Sequence, residues 1–164
     1  MNIFDQAMAL EQEGESLYRQ FAQEAPDKGM KHIFIWLADQ ELKHYHIFEL
    51  LKACKPAPVA ESPELQDIKN IFDGWKDSEA CINIKTTQAD VYRRALGIEQ
   101  KSISVYESYA NQSANTKQKE IFLKIANEEK RHKWIVENII EFITKPEVWA
   151  ENAEFSHLEQ DYYL

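Results

Sequence analysis

The chain has 164 residues, of which 44% are hydrophobic and 29% charged, a composition typical of one soluble globular domain. Its net charge of −9 argues against binding to nucleic acid or to anionic membranes, because phosphate groups attract Lys and Arg. No apolar run is long enough to span a membrane, no signal peptide is visible, and the two cysteines form no CxxC pair. We therefore expect a cytoplasmic protein.

Two long helices are predicted in the first third of the chain. Apolar residues spaced three or four apart predict one helix from Asn2 to about Glu24 and a second from about Lys28 to Ala53, with Pro26 between them. Residues 54–86 form a long connection, in which Leu65 to Trp75 predict a short amphipathic helix. A connection of this length suits a helical bundle with one crossover, because antiparallel neighbours need only short loops.

Two further long helices and a tail follow the connection. The same periodicity predicts a third helix from about Thr87 to Ala110 and a fourth that ends before Pro146. Residues 1–146 are therefore predicted to form one all-α four-helix bundle. Residues 147–164 are rich in aromatic side chains, so we expect this tail to pack on the bundle or on a second subunit.

The second half of the chain repeats the first half at an offset of 88 residues. Three pairs of possible metal ligands coincide at this offset: Glu11 with Glu99, Glu41 with Glu129, and His44 with His132. Apolar positions such as Ile33 and Ile121 also agree. Each half is thus predicted to be a helix pair, and the two pairs together form a bundle with pseudo-twofold symmetry.

The matched residues form a candidate metal site. In each Glu-x-x-His segment the two side chains lie one helical turn apart on the same face. Four carboxylates buried without compensation would be very costly, so they must be protonated, solvated or bound to metal. Two divalent ions would balance their charge. Mixed carboxylate and imidazole ligands suit iron or manganese, with zinc as a further possibility. The expected arrangement has Glu11 and His44 on one ion, Glu99 and His132 on the other, and Glu41 and Glu129 bridging the pair.

Other interpretations apply to single motifs. A third Glu-x-x-His segment, Glu154 to His157, lies outside the repeat, and we interpret it as a surface feature. Tyr18 and Tyr106 follow the first-helix and third-helix Glu by seven residues and share their face. They are predicted to be hydrogen-bond partners of the ligands, redox-active residues near the metals, or core tyrosines with their hydroxyls bonded elsewhere. The sequence leaves these three roles open.

These motifs resemble those of the ferritin-like di-iron carboxylate superfamily, and within it the rubrerythrin-like proteins. The segments Leu10 to Tyr18 and Leu37 to His44 carry the resemblance together with their repeats. The resemblance implies a ferritin-like bundle with a non-haem di-iron centre that reacts with peroxide or dioxygen, and the leading hypothesis is reduction of hydrogen peroxide. Two alternatives stay open: oxidation of ferrous iron by dioxygen for iron handling, and a metal-binding module without enzymatic activity.

The chain departs from the rubrerythrin pattern in two places. Rubrerythrin has an extra Glu three residues after the third-helix ligand, where this chain has Ser102, and the symmetric position is Gly14. Rubrerythrin also carries a rubredoxin-like domain with four cysteines, whereas this chain has two. The resemblance therefore implies a separate electron donor, such as a rubredoxin-type protein or a reductase. A homodimer is also expected.

Overall fold

The structure, a computed structural model, describes residues 2–58, 65–77 and 86–144, and these residues contain five α-helices and no strand. The helices are α1 (Ile3–Glu24), α2 (Lys28–Lys52), α3 (Gln66–Asp77), α4 (Thr86–Gln112) and α5 (Thr116–Thr144). The predicted all-α fold is confirmed, and α3 is the short helix expected within the connection. The predicted tail, 147–164, and its Glu-x-x-His segment lie outside the described residues.

Side-chain caps and a tight connection define the first helix pair. The Asn2 side chain accepts a hydrogen bond from the backbone N–H of Phe4 at 3.0 Å, and Asp27 accepts one from Gly29 at 2.7 Å. These caps satisfy backbone donors that a helix start leaves unpaired. Because few residues separate α1 from α2, the two helices run antiparallel as neighbours.

The four long helices form a ferritin-like bundle. Helix α1 packs most extensively on α2, and α4 packs most extensively on α5. The two pairs meet through contacts between α1 and α4 and between α2 and α5. This pairing agrees with the repeat predicted from the sequence, in which each half supplies one helix pair. No helix in the described part of the chain is long and apolar enough to cross a bilayer.

Two apolar clusters fill the bundle, one on each side of a polar band. The first cluster includes Tyr18, Phe21, Phe34, Tyr92, Ile135 and Ile139, and the second includes Phe4, Phe48, Tyr106, Ile121 and Phe122. Helix α3 adds Ile68 and Phe72 to the first cluster. On each long helix, the predicted metal ligands lie between the residues of the two clusters. The packing therefore encloses the polar band within the core.

Candidate metal centre

All six predicted ligands are buried at the middle of the bundle, and none is more than 2% exposed. They come from all four long helices: Glu11 from α1, Glu41 and His44 from α2, Glu99 from α4, and Glu129 and His132 from α5. The structure therefore brings together every residue of the predicted set. Ion binding by these residues stays a prediction.

The six residues form two overlapping groups with the geometry of metal-ligand sets. One group is Glu11, Glu41, His44 and Glu129, and the other is Glu41, Glu99, Glu129 and His132. Within each group the candidate ligand atoms lie within 4.8 Å of one another. Glu41 and Glu129 belong to both groups, which is the arrangement expected for two ions held side by side.

The two histidines present the same ring nitrogen to the shared carboxylates. The Nδ1 atom of His44 lies 2.8 Å from Glu129 Oε1, and the Nδ1 atom of His132 lies 3.0 Å from Glu129 Oε2. The two rings are nearly parallel, with centroids 5.6 Å apart. Each oxygen of Glu129 thus contacts the histidine of a different half, so this one carboxylate spans the site.

The remaining oxygen contacts show that the cluster fits a divalent metal. Glu11 Oε2 and Glu41 Oε1 are buried without a hydrogen bond. Glu41 Oε1 lies 2.9 Å from His132 Nδ1, but that nitrogen hydrogen-bonds to Glu129 Oε2 instead. A buried carboxylate oxygen without a donor is costly, and a bound cation removes this cost. Oxygen and imidazole nitrogen together suit iron, manganese or zinc.

Two buried tyrosines hold the carboxylates that belong to only one group. The Tyr18 hydroxyl donates a hydrogen bond to Glu99, and the Tyr106 hydroxyl donates one to Glu11. Burial, followed by the charge of its partner carboxylate, raises the pKa of each tyrosine well above its usual value. Both phenols therefore stay protonated donors. The structure thus supports a role as hydrogen-bond partners of the candidate ligands.

Three carboxyl groups of the site hold protons more tightly than exposed carboxyl groups do. Burial, and then the charge of neighbouring carboxylates, raises the pKa of Glu41, Glu99 and Glu129 above the usual 4.5. Their contribution to the stability of the metal-free fold is present below pH 4.5 and is lost as the pH rises through the raised pKa values. Metal binding must displace these protons, so it releases acid.

The two histidines differ in their affinity for protons. Burial lowers the pKa of both, but at His44 the charge of Glu129 and the hydrogen bonds of neighbouring carboxylates outweigh burial and raise the pKa well above 6.5. At His132 burial prevails and the pKa falls to about 4. His44 therefore adds to the loss of stability above pH 6.5, whereas His132 opposes this loss between about pH 4 and 6.5.

Two residues beside the histidines were not predicted from the sequence. Glu128 is 3% exposed, and its Oε2 lies 2.6 Å from Nε2 of His44. Trp36 contacts the ring of His132 edge-on, with centroids 5.8 Å apart. The periodicity of α5 could have identified Glu128, because it follows Ile125 by three residues and therefore lies on the inward face.

Gly14 provides space for one of the shared carboxylates. A Cβ atom at this position would lie 2.6 Å from Glu41 Oε2, closer than real contacts allow. The equivalent residue of the second half, Ser102, is buried at 3% exposure. The position where rubrerythrin has an extra Glu thus lies within the core but carries no carboxylate here.

The fold and the buried cluster define a ferritin-like helical-bundle protein with a candidate metal site of carboxylates and histidines. Comparison with models of protein families matches rubrerythrin over residues 2–71 and 90–160. This match covers well over half of the chain, so the chain belongs to the rubrerythrin family. Membership of this family and the buried cluster together suggest a metal site. Searches of curated proteins and of solved structures find no significant match.

Proposed function

We propose that the protein is a non-haem di-iron oxidoreductase that reduces hydrogen peroxide with electrons from a separate donor. The observation that carries the proposal is the overlap of the two ligand groups. Because Glu41 and Glu129 belong to both groups, two ions would be held side by side with carboxylates between them. Two adjacent ions suit a two-electron reaction, whereas a single ion would not need shared carboxylates.

The number of electrons in the proposed reaction matches two metal ions that each give up one electron. Reduction of hydrogen peroxide to two water molecules takes two electrons and two protons, and a bound pair of ferrous ions would supply the two electrons. His44 and Glu11 would hold one ion, and His132 and Glu99 would hold the other. The apolar clusters on both sides keep bulk water out, which strengthens the electrostatic contacts inside.

The tyrosines fix the geometry of the outer carboxylates. Each phenol occupies one oxygen of its partner, Glu99 for Tyr18 and Glu11 for Tyr106, and leaves the other oxygen available to an ion. Their raised pKa values keep the protons on the phenols at neutral pH. The extra Glu of rubrerythrin has no counterpart at Ser102, so the proposed reaction uses six protein ligands and no seventh.

The proposal includes two partners. The two cysteines of the chain cannot form a site with four thiolates, so a rubredoxin-type protein or a reductase would return electrons to the metals. We also propose a homodimer, which is the commonest assembly among protein oligomers. Reduced rubredoxin mixed with the oxidised, iron-loaded protein tests the first partner, and sedimentation tests the second.

Stopped-flow oxidation of the anaerobic ferrous protein tests the reaction. The proposal predicts that hydrogen peroxide oxidises two ferrous ions per peroxide and does so much faster than dioxygen does. His132→Ala should abolish the reaction, whereas His46→Ala is a matched control, because that side chain is 60% exposed. Faster oxidation by dioxygen, followed by iron accumulation as mineral, would instead establish an iron-handling protein. A redox-inert zinc site in native protein would establish a binding module.

A further inference from the structure

The two histidines have different neighbours on the side that faces away from the shared carboxylates. His44 turns Nδ1 toward Glu129, and its Nε2 lies 2.6 Å from Glu128 Oε2. His132 also turns Nδ1 inward, and its carboxylate neighbours within 4 Å among the described residues are Glu41, Glu99 and Glu129, all closest to Nδ1. In the described part of the chain, a carboxylate thus contacts the outer nitrogen of His44 but not that of His132.

The sequence repeat is broken at the residue that makes this difference. At the offset of 88 residues the counterpart of Glu128 is Gln40, which is also buried, at 4% exposure. Trp36, which contacts the ring of His132, has Lys124 as its counterpart. The inner ligands are therefore repeated faithfully, whereas the residues around the histidines are not.

An outer carboxylate has a known effect on a histidine that binds a metal. It accepts the N–H of the nitrogen that does not bind, which fixes the tautomer and the ring orientation and increases the basicity of the other nitrogen. Loss of such a partner typically lowers metal affinity by about 10- to 100-fold. Glu128 is placed to do this for His44, with Nδ1 left to bind the ion.

We propose that Glu128 is a positioning residue that makes the two metal sites unequal. The site of Glu11 and His44 binds its ion more tightly and fills first, and the site of Glu99 and His132 fills second. This inference rests on the metal site of the proposed function. It adds an order of loading that the symmetric set of six ligands would not produce.

Calorimetric titration of the metal-free protein with Co²⁺ tests the order of loading in two single-site variants. His132→Ala retains the site of His44, and His44→Ala retains the site of His132. We expect His132→Ala to bind Co²⁺ about 10- to 100-fold more tightly than His44→Ala does. Equal affinities, or tighter binding by His44→Ala, would overturn the inference.

A second substitution, Glu128→Gln, separates positioning from general damage to the fold. This change keeps the shape of the side chain and removes its charge. In the His132→Ala background it should lower Co²⁺ affinity by about 10- to 100-fold. In the His44→Ala background it should leave the affinity within about twofold, because its partner is absent. Circular dichroism and the melting temperature of the metal-free variants control for folding.

The possible results distinguish this inference from the proposed function. Glu128→Gln could change Co²⁺ affinity equally in both backgrounds, or in neither. Either result would overturn the inference that the two sites are unequal, while two ions could still bind to the wild-type protein. Failure of the wild-type protein to bind any Co²⁺ would contradict both the di-iron proposal and the order of loading.

Discussion

Gly14 is the position in α1 at which a side chain would collide with the candidate metal centre. A Cβ atom there would lie 2.6 Å from Glu41 Oε2 and 3.2 Å from its Cδ. To reach ordinary contact distance, about 3.4 Å, the Oε2 atom must move by about 0.8 Å or more. The substitution Gly14→Ala therefore displaces a carboxylate that belongs to both ligand groups without removing any ligand.

The magnitude of this effect should differ between the metal-free and the metal-bound protein. Alanine in place of glycine inside a helix stabilises it by about 0.5–1 kcal/mol. Without metal, the end of the Glu41 side chain can move aside, so the free energy of unfolding should stay within about 1 kcal/mol of wild type. With metal, we expect affinity to fall by about 10- to 100-fold, or about 1.4–2.7 kcal/mol.

Gly97 in α4 provides the matched control. Apart from its chain neighbours and the backbone of its own helix, no atom of the described residues lies within 4 Å of a Cβ atom placed there. Gly97→Ala should raise the free energy of unfolding by about 0.5–1 kcal/mol and leave metal affinity unchanged. Anaerobic calorimetry with Co²⁺ and denaturant unfolding of the metal-free proteins measure both quantities. Equal Co²⁺ affinity of Gly14→Ala and Gly97→Ala would refute the reasoning, because it would show that Glu41 need not occupy this space.

Three further predictions concern the ligands, their hydrogen bonds and pH. Glu129→Ala should abolish tight binding of both ions, because this residue belongs to both ligand groups. Glu154→Ala should leave the metal content unchanged. Elemental analysis of the two purified variants checks both predictions. Tyr18→Phe removes the donor to buried Glu99 and should cost about 1–3 kcal/mol in urea unfolding, whereas Tyr109→Phe, with an exposed hydrogen bond, should cost less than about 0.5 kcal/mol. The melting temperature of the metal-free protein should fall from pH 5 to pH 7. Three carboxyl groups with raised pKa values lose stability over this range, and they outweigh the one histidine with a lowered pKa. A rise in melting temperature over this range would contradict the assigned proton binding.

The sequence predicted the helices and the ligands well because both depend on periodic patterns. Apolar spacing identified the long helices to within a few residues, although α4 continues to Gln112, past the predicted end near Ala110. The repeat then placed Glu11, Glu99 and the two Glu-x-x-His segments on facing helices. Since the same pattern occurs twice, each half supports the interpretation of the other.

The contacts around the histidines could not be predicted in the same way. Glu128 approaches His44 from another helix, and such a contact depends on how α5 is rotated and shifted against α2. Helical spacing defines a face, but it does not define which residue of that face meets which partner. The repeat gives no help here either, because it is broken at this position: the counterpart of Glu128 is Gln40.

The role of the two tyrosines also depends on contacts between helices, so only the structure could choose among the predicted roles. The spacing placed Tyr18 and Tyr106 on the inward face but left three roles open. Each hydroxyl in fact reaches the carboxylate of the opposite helix pair, Glu99 and Glu11 respectively. Only the packing of α1 against α4 determines these crossed contacts.

We propose that the buried cluster holds two iron ions side by side. X-ray absorption spectroscopy of the freshly purified protein, combined with its iron content, tests this claim most directly. We expect two iron ions per chain, oxygen and nitrogen ligands, and an iron–iron distance of roughly 3.5–4 Å, as in two-metal sites. A single ion per chain, or a spectrum without a second metal neighbour, would contradict it.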